Sequence, residues 1–263
     1  MKVPIALLLL VLTSSTQAGF GGGGRGGGRI QSAPPPDSSQ GAVRRGIQPS
    51  GLTPVFAGDA HCTKIASPYA SPTRFDGSSR PLDRFAGLHG GIDLTLEQET
   101  PLLALAAGKV IALGVGGQAE GVYAWLQHAP ADTGLPFWVY SKYQHLFALP
   151  KHALGDVLKV GEVVGLSGRT GTVGGHYGWA GYAHLHLTAV AAPGDEYQLE
   201  GTRVSAKGGR MMDPLAIYLR DLTSLDDLDR LDGAPREVRI SHQTADGALR
   251  PAGSRIIWPV ACQ

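Results

Sequence analysis

GVYAWLQHA (residues 121–129) and FWVYSKYQHL (residues 137–146) are two runs dense in aromatic and β-branched side chains. Such residues favour the pleated, half-buried surface of a strand, and ADTGLP between the runs supplies turn residues. Working outward, PLLALAAGKVIALG (101–114) reads as a strand, a turn at Gly108-Lys109, and a second strand. GDVLKVGEVVGLSG (155–168) carries short strands punctuated by Gly155, Gly161, Gly165 and Gly168. Short strands at this spacing predict a mainly β fold, an antiparallel sheet or open barrel-like core.

GYAHLHLTAV (181–190) sharpens the reading. On a strand, side chains alternate between faces. Leu185, Leu187 and Ala189 then enter the core, while His184, His186 and Thr188 share the other face. Past this strand, DPLAIYLRDL (213–222) predicts a helical turn with Asp213 as cap and Pro214 at its first position. REVRISHQ (236–243) and SRIIWPV (254–260) read as edge strands.

The ends are of different composition. MKVPIALLLLVLTSSTQA (1–18) has a basic residue, a short apolar run and a terminal small residue, the layout of a secretory signal peptide. Its apolar run is too short to span a bilayer, and no later run is long enough. Residues 19–54 are rich in Gly, then Pro and Ser, and read as a flexible linker. A single folded domain is expected over 55–220, with 221–263 as an extension packing on it. Export is therefore expected, to the periplasm or the medium, as a monomer without a membrane span.

A formal net charge of +1 offers no nucleic-acid-binding surface, and 43% hydrophobic residues permit a real core. Two cysteines, Cys62 and Cys262, suit one disulfide in an oxidising compartment.

GLHGGIDL (87–94) adds His89 and Asp93. The two intervening glycines argue against a helix and for a tight turn entering a strand at Ile92-Asp93-Leu94. Imidazole, carboxylate and imidazole form a donor set that suits zinc. Catalytic zinc needs three protein ligands and an open position, which leaves one histidine of the HLH pair for proton transfer. KYQHL contributes His145 at a strand end. There is no HExxH, so histidine would have to carry the acid–base work.

HGGID, PLLALAAGKVIALG, YQHL, KVGEVVGLSGRTG and HLH together resemble the lysostaphin/LytM-type zinc endopeptidases. Those enzymes cut the peptide part of bacterial peptidoglycan. Order and spacing agree over about 88–187, and MDPLAIYL is similar to the family's close. The resemblance implies a groove across an antiparallel sheet with zinc at its floor. It implies His89, Asp93 and His186 as metal ligands, His145 and His184 as catalytic histidines, and peptidoglycan stem peptides or crosslinks as partner. Two other classes remain open at this point: a wall-bound regulator that activates amidases, and a general secreted protease.

The sequence departs from the family at TVGGHYGWAGYA (172–183), longer and more aromatic than usual. A loop over the groove lined by Tyr177, Trp179 and Tyr182 is expected there, with His176 solvated. His128 is expected to be structural, and His61, His152 and His242 to lie at the surface. Asp59 or His61, ahead of the domain, could occupy the open zinc position and make a latent precursor.

Overall fold

The computed structural model describes residues 47–173 and 181–263. The first half contributes β1 (Leu52–Phe56), β2 (Ile65–Ser67), β3 (Ile92–Thr95), β4 (Pro101–Leu103) and β5 (Gly108–Val115). β6 (Val122–His128), β7 (Trp138–Leu146), β8 (Val157–Leu158), β9 (Val163–Leu166) and β10 (His184–Ala192) follow. Then come β11 (Tyr197–Glu200), β12 (Arg203–Ala206), β13 (Arg210–Met212), β14 (Arg236–Ile240), β15 (His242–Gln243) and β16 (Leu249–Arg250). Helical structure among the described residues is confined to short turns.

The main sheet runs β2-β3-β10-β7-β6-β5-β8, with β13 also paired to β10. Every pairing in it is antiparallel, and the path does not close into a barrel. The two aromatic runs form β6 and β7, joined through a helical turn, Pro130–Thr133, that Gly134 ends at φ 76°. The turn anticipated at Gly108-Lys109 lies earlier, because Gly108 already begins β5.

Alternation assigns the two faces. Leu126, Val139, Tyr143, Leu185, Leu187 and Ala189 belong to the principal core. Tyr123, Trp125, Tyr140 and Val190 form a smaller cluster with Val204 of the β11–β12 hairpin. The sheet thus buries apolar groups on both sides, which explains why β7 is almost wholly buried.

Residues on both flanks complete the core. Ile47 is 1% exposed and β1 pairs with β14, so folded structure reaches into residues read from composition as linker. This ribbon is parallel, unlike the main sheet. Ile256, Trp258 and Val260 enter the principal core, and the Trp258 indole donates to the Thr63 carbonyl at 3.1 Å. Each such side chain contributes about 2–3 kcal/mol by burial. The stretch 254–260 makes only an isolated bridge, from Ile256 to Ala106, rather than an edge strand. Cys62 and Cys262 are disulfide-bonded. His242, expected at the surface, is instead buried with its ring 6.4 Å from that of Phe56. The sequence around it gave no sign that β15 would be drawn beneath the N-terminal ribbon.

Candidate metal centre and groove

Strand register assembles the site. Tyr123 faces Gln144, Gln144 faces His186, and His186 faces Asp93, a row running straight across β6, β7, β10 and β3. The next row sets Trp125 beside Lys142 and Lys142 beside Thr188. These side chains share the face opposite the leucines of β10, as the alternation of GYAHLHLTAV requires.

His89 arrives from outside the sheet. It follows a tight turn at Phe85–Gly87, and its main chain is clamped to residues 70 and 71 by two hydrogen bonds. Gly91 lets this turn pass against β10: a Cβ there would lie 2.3 Å from the Leu187 carbonyl oxygen and 2.9 Å from His186 Nε2.

Three donor atoms meet. His186 Nδ1 is 2.8 Å from Asp93 Oδ1, His89 Nε2 is 3.2 Å from that oxygen, and the two imidazole nitrogens are 3.0 Å apart. His89 Nδ1–H donates to the Pro68 carbonyl at 2.9 Å, which leaves Nε2 with its lone pair in the cluster. His186 Nδ1–H donates to Asp93, so a proton stands where a cation would. Moving that proton to Nε2, 3.1 Å from the Thr188 hydroxyl, frees Nδ1 as a third ligand. Tetrahedral zinc with N and O ligands near 2.0–2.1 Å spaces them by about 3.3 Å. The donor set and its spacing fit such an ion.

The electrostatics agree. Burial alone would raise the Asp93 carboxyl, but charge and hydrogen bonding from His89 and His186 outweigh it and hold the group well below the usual carboxylate range. Burial lowers His89, against the pull of Asp93. The remaining carboxylate oxygen faces Arg80, whose guanidinium lies 3.6 Å away and also donates to the Ser67 hydroxyl at 2.7 Å.

His145 and His184 stand beside this cluster. Their rings are 4.5 Å apart, and His145 is 6.2 Å from His186. His145 Nδ1–H donates to the Thr170 carbonyl at 2.8 Å. Thr170 in turn donates its hydroxyl to Leu146 and accepts from the Val122 amide. The SGRTG turn therefore orients His145. At φ 64° His145 also sits in the left-handed region, which costs a non-glycine residue about 1 kcal/mol or more. His184 Nδ1–H donates to the Tyr182 carbonyl at 3.1 Å, and the Tyr182 ring stacks on it at 4.2 Å. Burial pushes the His184 imidazole down to about 4, and burial with neighbouring imidazoles pushes His145 well below its usual value. Both rings are neutral at pH 7.

A groove of about 430 Å³ runs over the centre, touching His89, His145 and His186. Its walls come from the turn carrying Arg84 and Phe85 and from the β11–β12 hairpin. The five histidine and aspartate positions singled out from the sequence come together. Asp59 and His61 do not join them: His61 is exposed and its main chain pairs with Gln263. Arg80 takes the place beside Asp93 instead. His128 is buried and fully bonded, through Nδ1 to the Ala107 carbonyl and Nε2 to the Ser141 hydroxyl. His176, Tyr177 and Trp179 lie outside the described residues. Arg80, Thr170 and the Lys142–Glu120 ion pair were missed from sequence. Only the T of the glycine-rich turn carried a signal that could have revealed one of them.

Residues 87–196 match the family model described as peptidase family M23. Among solved structures the chain is similar to the catalytic domain of the antimicrobial peptidase lysostaphin from Staphylococcus simulans. Identity there is 23%, over 48% of this chain and 81% of that one, with a TM-score of 0.35. LytU is 26% identical over 43% of this chain and 68% of its own, with a TM-score of 0.34. A variant of the catalytic domain of the prophage-encoded M23 protein EnpA from Enterococcus faecalis is 19% identical. That match covers 55% of this chain and 91% of that one, with a TM-score of 0.34. No curated protein matches the chain.

Proposed function

We propose that the protein is a zinc-dependent endopeptidase acting on the peptide crosslinks of bacterial peptidoglycan. The convergence of His89 Nε2, Asp93 Oδ1 and His186 Nδ1 beside two neutral imidazoles carries this reading. The M23 match and the order of the sequence motifs support it.

In this reading His89, Asp93 and His186 hold the metal, and His145 and His184 handle protons. Bound zinc supplies the Lewis acidity that makes water nucleophilic near neutral pH and polarises a peptide carbonyl. Each catalytic histidine keeps Nδ1–H on a main-chain carbonyl, so Nε2 is the nitrogen able to take a proton from the attacking water. Once protonated, the same nitrogen donates to the developing oxyanion or to the departing amine. Burial keeps both rings unprotonated at rest, so the acid is generated during turnover.

Export through the N-terminal signal sequence would bring the enzyme to its polymer. Among the described residues no helix is long and apolar enough to cross a membrane. The test is incubation of purified sacculi and of casein with zinc-loaded and chelated protein. Chelator-sensitive release of muropeptides carrying new amines, with casein intact, is the expected result. Cleavage of casein would make it a general protease. Intact sacculi alongside stimulated amidase action would make it a regulator.

A further inference from the structure

The groove is lined by cations in unequal circumstances. Arg80 is held by Ser67, the Thr73 carbonyl and Asp93. Lys142 is buried and paired with Glu120, which also accepts from Gln144. Arg210 is paired with Asp226 and Asp229. Arg84 and Arg203 are exposed, and among the described residues neither has a carboxylate within 4.0 Å. Glu200 stands opposite Arg203 in the β11–β12 hairpin without closing to an ion pair.

These two arginines are placed with some definition. Arg84 leads directly into Phe85 and Ala86, consecutive non-glycine residues at φ 47° and 57°, and the turn is closed by the Gly87 amide donating to the Arg84 carbonyl. The Arg203 guanidinium lies over the Phe85 ring, 5.9 Å from its centre. Arg203 thus reaches from the hairpin wall to the ring that follows Arg84 in the chain, and both arginines line the groove. Both also act on Lys142: burial lowers its ammonium first, and repulsion from Arg203 and Arg84 lowers it further. Three cations line one groove, where Glu120 is already engaged by Lys142, and form a positive pocket awaiting an anion.

We propose that Arg84 and Arg203 form a subsite for a free carboxylate of the peptide substrate, so that the groove selects an acidic branched peptide over an uncharged glycine bridge. This specificity rests on the endopeptidase reading of the same groove. The carboxylate would bridge the two walls, with the scissile bond reaching the row of His186 and Asp93.

The test pairs two muropeptides that differ only in one side-chain carboxylate or carboxamide, with triglycine blocked at both ends (N-acetyl, C-terminal amide) as the uncharged probe. Binding to the full chain is measured by calorimetry at low salt, and cleavage is measured in parallel. The wild type is expected to bind the carboxylate form about tenfold more tightly than the carboxamide. R84Q and R203Q should each cut that preference by about fivefold, while R84K and R203K retain most of it. Raising the salt should weaken the preference. Equal binding of both muropeptides, triglycine binding as tightly as the acidic form, or an unchanged preference in the R84Q/R203Q double variant would each overturn the subsite. Failure of the endopeptidase reading looks different: the binding preference persists while no peptide is cut.

Discussion

Asp93 stands directly opposite His186 in the register of β3 and β10, with Oδ1 2.8 Å from Nδ1. Sheet hydrogen bonding therefore fixes two donors of the candidate centre before any ion arrives, and only His89 depends on a turn.

His186→Ala should lose both zinc and hydrolysis. His184→Ala should keep zinc and lose turnover by about 10²-fold or more, the usual worth of a positioned proton donor or acceptor. Metal content after dialysis, measured by mass spectrometry beside the sacculus assay, separates the two. Equal zinc loss in both variants would reverse the assignment of the HLH pair.

Gly91→Ala introduces a methyl 2.3 Å from the Leu187 carbonyl oxygen, on a backbone that has no room to yield without shifting β3 or β10. A destabilisation of about 1–3 kcal/mol is expected, the range for overpacking. Thermal unfolding should show it as a lowered Tm, together with weakened zinc retention. An unchanged Tm would mean the turn relaxes freely.

His128 links stability to pH. Burial holds its imidazole down to about 4, below the unfolded value of 6.5, so the unfolded chain binds more protons between these limits. Its contribution is full above pH 6.5 and is lost as pH falls towards 4, by about 3 kcal/mol at most. Urea midpoints at pH 7.5 and 4.5 should differ by less in His128→Gln than in the wild type. An identical pH slope in the two proteins would clear His128 of this role.

Replacing Cys62 and Cys262 by Ser should lower stability by up to about 5 kcal/mol, since the bond closes a loop of 200 residues. A reductant should shift the wild-type denaturation midpoint in the same direction and leave the double variant unmoved.

The strands were legible because they rest on local rules, and the five-residue constellation because its motifs resemble a known family in order and spacing. Period-two alternation assigned Leu185 and His186 to opposite faces, and the motif order brought His89, Asp93 and His145 into the argument. Arg80 was not legible, because it reaches Asp93 through a segment whose path depends on Ala70, Phe85 and Ala86 adopting positive φ without glycine. Nothing in those residue types announces it. The pairing of β1 with β14 joins residues almost two hundred apart in parallel, which neither flank encodes by itself. His242 was misread as exposed for the same reason: its cover comes from Phe56, at the far end of the folded chain.

The bond between Cys62 and Cys262 also sets how the fold bears tension. A pull applied at the two ends of the folded region first peels β1 from β14 and then arrives at that covalent link. The residues within it, including every strand that carries a site histidine, are mechanically short-circuited. A load carried from one end of the folded region to the other would leave those histidines in register.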